Sequence, residues 1–410
     1  MPNWPFRFVH AGDLHLEMPP GGIDHVPEHL RLLFVDAAYA AAERVFATAL
    51  TEEADFLVLA GDVLDSQQTG PRGPLFLVEQ FSRLDQRGIP VYWAGGKVYP
   101  PDAWPATIRL PDNVHIFPSG RIEEFVVRRE ATAIARIIGI SRSENHGIRP
   151  SDFVPDPAGV FSIAVAHGSA DADALRGRGI HYWALGGNHR RQTLFHSPHV
   201  AHCPGTPQGR SPRETGSHAC TVVHVSDQRS VRLTAASTDG LRWHTEQVTV
   251  EDSTTRTQLE RMLDQRAAAL KDTIPGADVM VSWRILGSGA LAAQLRHGNL
   301  AVELLETLRK RHGLGPPAVW SVALVAEPPA ALDPEIYEQD SILGDFLREA
   351  RRYQTNAGEE IDLEGYLPAP SPAGAMLPAL AISDRSARQR VLREAAVLGI
   401  DLLSGEEPQP

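Results

Sequence analysis

The sequence predicts an α/β protein in which one sheet packs on a second with helices outside. Three observations predict it. Short apolar runs recur along the first half, each ending on a polar residue. A long alanine-rich segment separates the first two. From Val114 onward the alternation of strand and helix gives way to strand after strand. The runs Phe6 to Val9, Phe56 to Ala60 and Phe161 to Ala166 have the length and composition of buried strands. Glu28 to Thr51 reads as a helix, with apolar residues on one face and Pro27 at its start. A helix over 74–87 and a strand over 89–93 complete a β-α-β-α-β order, which implies a largely parallel sheet. Further strands are expected at 115–117, 125–127, 132–135, 137–138, 163–166, 221–225 and 231–235.

Composition turns polar near Val248 to Ser253. Beyond it the pattern predicts a helix over 257–270, a strand over 279–285, one helix over 291–312 and a strand over 319–326, a small separate α/β unit. Pro328-Pro329 breaks the chain. An amphipathic helix is expected at 341–353, a Pro/Ala-rich linker at 368–378, a last helix at 385–403 and a frayed tail at 405–410. The expected domains are therefore 1–245, 254–328 and 329–410.

A chain of 410 residues with 42% hydrophobic content has room for two or three domains with a sizeable core. No apolar stretch reaches bilayer-spanning length. The start, Met1-Pro2-Asn3-Trp4-Pro5, lacks the basic and apolar regions of a signal peptide. Cys203 and Cys220 cannot form a disulfide scaffold. They are expected to stay reduced in a cytoplasmic protein, as inert buried thiols or as a metal pair. The net charge of −12 argues against polyanion binding by the whole surface. It leaves room for a local basic groove, for which Arg309-Lys310-Arg311-His312, His189-Arg190-Arg191 and Arg385 through Arg393 are candidates. Such runs also serve as solvated helix faces.

Chemistry concentrates where the apolar runs end. Asp13-Leu14-His15 follows the first, Gly61-Asp62 the second and His167-Gly168 the third. His189 comes just after Tyr182-Trp183-Ala184-Leu185-Gly186. The carboxyl ends of strands are where α/β proteins build sites. Asp and His together suit a borderline divalent cation, manganese first, with iron or zinc as alternatives. Each element alone is a weak signal; the weight lies in their order, each after a strand.

In that order and with their flanking text, these residues resemble the calcineurin-like metallophosphoesterases. Phe8 through Leu16, Asp55 through Val63, Tyr182 through Gly186 and the turn Cys203-Pro204-Gly205-Thr206-Pro207-Gln208-Gly209 are similar to the SbcD and YhaO-type DNA repair nucleases. The resemblance covers about 6–240 and continues loosely into the small α/β unit, which matches that family's capping domain in position. It implies a four-layer β-sandwich flanked by helices and two cations bridged by one aspartate. Asp13, His15, Asp62 and His189 match the ligands of the first metal, with Asp62 as the bridge. The second metal takes Asp62, His167, an Asn from a Gly-Asn-His-Asp motif and the first His of a Gly-His-x-His motif.

Both of those last motifs are altered. The first slot reads Gly96-Lys97-Val98-Tyr99, and Gly187 stands where the second-metal His belongs. The expectation is one ion rather than two, with phosphodiesterase activity reduced or lost. His10 or His181 could substitute for the missing groups in a one-metal nuclease. Lys97 could place an ammonium near the second seat, or face solvent as a loop lysine. Asp65 completes Gly-Asp-x-x-Asp, as a helix cap or as support for a ligand. Arg142, Arg210 and Arg213 could contact phosphates or form salt bridges. The resemblance further implies DNA as a partner, a homodimer and an SMC-like coiled-coil ATPase of the SbcC or YhaN type. Arg309, Lys310 and Arg311 are candidate DNA contacts, and the two C-terminal helices either dock on the ATPase or pack back on their own domain. The alternatives are a noncatalytic DNA-binding or scaffold subunit and a phosphoesterase acting on a small molecule or nucleotide.

Overall fold

The computed structural model describes residues 4–23, 26–65, 70–142, 148–328, 334–356 and 385–403. The expected linker at 368–378 and tail at 405–410 lie outside them. The chain divides into two compact units: Met1–His244 with Ile274–Met280, and Thr245–Thr273 with Val281–Pro410.

In chain order the first unit holds β1 (Phe6–Gly12), α1 (Glu28–Thr51), β2 (Phe56–Gly61), α2 (Arg72–Asp85), β3 (Val91–Gly95), β4 (Val114–Phe117), β5 (Glu123–Arg129), β6 (Thr132–Ile140), β7 (Ser162–His167), α3 (Ala172–Arg176), β8 (Tyr182–Gly186), β9 (Gln192–Phe195), β10 (Val200–Cys203), β11 (Ala219–Val225) and β12 (Val231–Ser237). They form two six-stranded sheets, ordered β12-β11-β1-β2-β3-β4 and β5-β6-β7-β8-β10-β9. The strands that carry the site run parallel: β1, β2 and β3 in the first sheet, β7 and β8 in the second.

Alternate residues of each strand face opposite ways. Val9, Leu57, Leu59, Val91 and Trp93 turn outward to pack with Phe46, Leu77 and Phe81 of α1 and α2. Phe8, Phe56, Val58, Tyr92 and Ala94 turn inward, where they meet Ile137, Ile163, Val165, Tyr182 and Ala184 of the second sheet. Ala164, Ala166, Trp183 and Leu185 face outward again, onto Leu175 of α3 and Phe153. With both faces of each sheet covered, the central strands are apolar throughout, which is why they read as unbroken hydrophobic runs. The sequence over 132–140, expected as two strands, is the single strand β6. α3, β9 and β10 were not expected; each is at most five residues long and too short for a periodic signal.

The small sheet is ordered β13 (Leu241–Val250), β14 (Asp278–Gly287) and β15 (Val319–Ala326). α4 (Arg256–Thr273), α5 (Ala290–His297), α6 (Leu300–His312), α7 (Pro334–Tyr337), α8 (Ile342–Thr355) and α9 (Arg385–Leu403) accompany it. The helix expected over 291–312 is in fact two. Gly298 is extended (φ −106°, ψ −177°) and ends α5, and α6 starts after Asn299. Ser341 caps α8 by accepting the Gly344 N–H at 3.1 Å. α8 and α9 pack on one another through Leu347, Ala350 and Ala396. Asp401 of α9 takes both forks of Arg296 of α5 at 2.7 Å.

Candidate metal centre

The carboxyl ends of β1, β2, β7 and β8 meet at one edge of the two sheets. Asp13 and His15 follow β1, Asp62 follows β2, His167 ends β7 and His189 lies three residues past β8. One ligand atom each from Asp13, His15 and Asp62 lies within 4.8 Å of the others, in a buried group that could hold a metal ion. His189 completes the approach: its Nε2 faces His15 Nε2 at 3.4 Å. Asp13 (φ 50°) and His15 (φ 45°) both adopt the left-handed backbone region. Non-glycine residues enter that region at a cost, and such strain clusters at functional sites. Gly61 shows why its motif needs glycine. A Cβ there would lie 2.1 Å from Asp13 Oδ1.

The residues present fit one cation. His15 is buried, and burial followed by the nearby Arg210 charge pushes its imidazole down to about 3, so it is neutral and able to donate a lone pair. His15 Nδ1 is buried with no hydrogen-bond partner among the described residues. His189 is oriented by a residue that the sequence analysis missed. Its Nδ1 lies 2.9 Å from both Glu214 Oε1 and Arg210 Nη2; with the carboxylate as its acceptor, Nδ1 carries the proton and Nε2 is left for the metal, the usual carboxylate–histidine arrangement. Burial alone would raise the Glu214 carboxyl. The bonds from His189 and the Arg210 N–H, with the Arg210 charge, outweigh it and hold the group at about 2. Arg210, four residues earlier, donates its main-chain N–H to Glu214 Oε2 at 2.8 Å. The spacing Arg210-x-x-x-Glu214 was visible, but nothing in it pointed at His189.

Fewer groups face the second seat. The Asp62 oxygen Oδ1 already accepts the main-chain N–H groups of Val98 at 2.8 Å and Tyr99 at 2.7 Å. Gly96 presses on the same carboxylate. Gly187 supplies no side chain. His167 Nε2 lies within hydrogen-bond distance of Asp13 Oδ1, at 3.2 Å, and stands 3.6 Å from Asp62 Oδ2. Burial pushes the Asp62 carboxyl up. Asp13 faces the same burial but is held down by His167, His15 and the Gly187 N–H, which donates to Asp13 Oδ2 at 2.6 Å.

Other candidates fall elsewhere. Lys97 is exposed, and the loop around it bonds Asp62 through main-chain amides. His10 is fully buried and bonded to Tyr182 OH at 3.0 Å, so it is committed inside the sandwich. His181 precedes β8, at the opposite end of the strand from the site, and accepts the Ser162 N–H. In the second unit, Arg309 donates to the carbonyls of Ser321 and Val322, Arg311 pairs with Asp264, and Lys310 lies 4.0 Å from Glu306. Cys203 and Cys220 are free and buried, bonded to the Asn188 and Ala236 carbonyls, and burial pushes both thiols up to about 11. They have the character of inert thiols.

Two stacked sheets with helices outside, and Asp and His ligands gathered at the strand ends, define a metallophosphoesterase fold. The sequence profile of the calcineurin-like phosphoesterase family matches residues 6–96. The metallophosphoesterase YhaO of Bacillus subtilis, itself uncharacterised, is 30% identical over 336 residues, covering 77% of this chain and 80% of that protein. The DNA double-strand break repair protein Mre11 of Aeropyrum pernix is 28% identical over 159 residues, or 39% of this chain and 32% of that protein. Among solved structures, a dimetal phosphatase from Danio rerio aligns with 56% of this chain and 98% of its own at 10% identity, with a TM-score of 0.35. The chain belongs to the calcineurin-like metallophosphoesterases of the YhaO type. Among the described residues, no helix is long and apolar enough to cross a membrane.

Proposed function

We propose that this chain is a nuclease-type DNA repair subunit that holds one divalent cation, manganese first, on Asp13, His15, Asp62 and His189, with phosphodiesterase activity reduced or lost. One observation carries the reading: the amides of Val98 and Tyr99 occupy Asp62 Oδ1 and Gly96 approaches the same carboxylate closely, so Oδ2 alone is left to serve as a bridge. A bound cation supplies Lewis acidity toward a phosphoryl oxygen. The chain's own residues do the rest. Glu214 orients His189, His167 bonds Asp13 beside Asp62, and no imidazole remains in the loop after β3 to donate a proton to a leaving oxygen. Loss of one member of a group that acts as a unit costs orders of magnitude in rate.

The scaffold alternative, with an SMC-like ATPase as partner, draws support from α9. Leu398, Leu402 and Leu403 stay 41%, 56% and 44% exposed although the helix packs on α8. An apolar helix face of this kind fits a partner's groove. Elemental analysis of manganese-loaded protein, run beside a nuclease assay, tests the proposal. One ion per chain with weak or no cleavage is expected. Two ions with turnover equal to that of a two-metal relative would overturn it.

A further inference from the structure

The segment that carries the first two ligands is strained over more than those two residues. Asp13 (φ 50°), His15 (φ 45°) and Glu17 (φ 71°) all adopt left-handed backbone conformations. Each costs free energy in a residue with a Cβ, and such a run persists only where its surroundings over-determine it. Its middle is held by the chain after β2. The His15 and Leu16 N–H groups donate to the Asp62 and Val63 carbonyls, both at 3.0 Å, and Leu16 forms an isolated bridge with Leu64. Its end is held by a side chain. Glu17 Oε1 accepts the Gly73 N–H at 2.6 Å, in the first turn of α2.

That turn has no cap of its own, since Pro71 precedes it and makes no side-chain bond. The first amides of a helix lack partners within it, and the positive end of the helix favours a carboxylate. Gly73 leaves room for the contact; a Cβ there would lie 2.9 Å from Glu17 Oε1. Tyr39 and Arg72 stand around the same carboxylate. Arg72 lies over the Tyr39 ring at 3.9 Å and pairs with Asp36, and burial followed by the Glu17 charge raises the Tyr39 phenol. Glu17 thus reaches from the ligand segment to the helices outside the first sheet.

We propose that Glu17 is a positioning residue for the metal centre: hooked on α2 through Gly73, its carboxylate keeps the left-handed segment in the shape that brings Asp13 and His15 to Asp62. The proposal deepens the one-cation reading and rests on it for what those side chains bind. Its local part, that the carboxylate holds the segment, does not need the ion.

Three variants of the full chain test this. Glu17→Gly removes the carboxylate and supplies a residue that adopts φ 71° freely. If the bend alone mattered, this variant would bind manganese at least as tightly as wild type. A loss of at least about tenfold in calorimetric titration is expected instead, the usual effect of removing a group that orients a ligand. Glu17→Gln keeps an oxygen that can accept the Gly73 N–H and should stay within about threefold of wild type. Leu84→Ala opens a cavity in the last turn of α2, about 16 Å from Gly73. It should lower Tm and leave manganese affinity within about threefold of wild type.

Hydrogen exchange of the metal-free proteins is followed in parallel. Residues 13–17 should exchange faster in Glu17→Gly than in wild type or Leu84→Ala. Wild-type manganese affinity in Glu17→Gly would overturn the proposal. So would an equal loss in Glu17→Gln or Leu84→Ala, or exchange over 13–17 no faster in Glu17→Gly than in Leu84→Ala. Faster exchange in Glu17→Gly, in a protein whose wild type takes up no manganese, would remove the cation reading and leave Glu17 as the residue that fixes the segment.

Discussion

Gly96 lies so close to Asp62 that a Cβ on it would stand 2.3 Å from Oδ1 and 2.4 Å from Cγ. A glycine is therefore required for the loop after β3 to lay its amides on the carboxylate. Gly96→Ala is expected to push Asp62 out of position, to weaken manganese binding at least about tenfold and to lower stability by about 1–3 kcal/mol, the usual cost of overpacking a tight site. Calorimetric titration with manganese and thermal unfolding measure the two effects. Wild-type manganese affinity in this variant would show that the contact does not position Asp62.

Restoring the missing histidine alone is not expected to restore a second ion. Gly187 has φ 91°, which a histidine adopts only under strain, and its Cβ would stand 3.0 Å from His167 Nε2. Asp62 Oδ1 would stay capped by Val98 and Tyr99. Gly187→His should thus still bind a single manganese per chain. Two ions in elemental analysis of this variant would show that the histidine alone was lacking.

Glu214 acts through His189. Glu214→Gln keeps the shape of the side chain but removes the charge that fixes the imidazole tautomer. Partners of this kind contribute about 10- to 100-fold to metal affinity. The same loss is expected here with the fold intact, read as a weaker manganese titration beside an unchanged circular dichroism spectrum. An unchanged titration would assign Glu214 to Arg210 alone.

The histidines inside the sandwich set an acid limit to stability. His202 is bonded through both ring nitrogens, to Thr193 and Thr221 at 2.8 Å each, and burial followed by the Arg191 charge pushes its imidazole down to about 3. His10, with its ring centroid 5.9 Å away, is lowered in the same direction, mainly by burial. In the unfolded chain both titrate near the ordinary value of about 6.5. As pH falls below that value the unfolded state takes up the protons first. The stability held by these neutral rings is therefore whole above about pH 6.5 and is lost progressively toward pH 3, at up to about 1.4 kcal/mol per pH unit for each ring. Thermal unfolding should shift downward between about pH 6.5 and 4.5, and His202→Gln should flatten the slope. A flat wild-type profile over that range would contradict the prediction.

Asp401 anchors the last helix. Its carboxylate binds both forks of Arg296, and the two side chains are 6% and 10% exposed. Asp401→Ala would leave Arg296 buried without its counter-charge, a change that costs about 3–5 kcal/mol. Faster proteolysis within α9, with the metal centre unaffected, is the expected result. Unchanged protease resistance would show that the Leu347–Ala396 packing holds the helix without the ion pair.

How much could be read beforehand follows from what each residue depends on. The strands β1, β2 and β7 and the helix α1 were legible because their order depends on local apolar runs and on an alanine-rich face. The meeting of Asp13, His15 and Asp62 at one edge was legible because each is tied to a strand end. The break at Gly298 was not, since a single glycine inside a helical pattern is often tolerated. Glu214 was not, because it lies 25 positions from His189 along the chain and carries no spacing of its own. The sequence also showed that the second-metal motifs are altered, and of the two places it left open for Lys97, near the second seat or facing solvent, the structure has it exposed.

Residue identity alone determined the fold class, the chain order of the ligands and the absence of an asparagine and a histidine from the second seat, because each is carried by short stretches of chain. The tertiary structure alone decided what stands in their place. Main-chain N–H groups are present at nearly every residue, so no side-chain pattern records which two will point at Asp62. That direction is set by how β2 and β3 pair and by how closely Gly96 approaches the carboxylate.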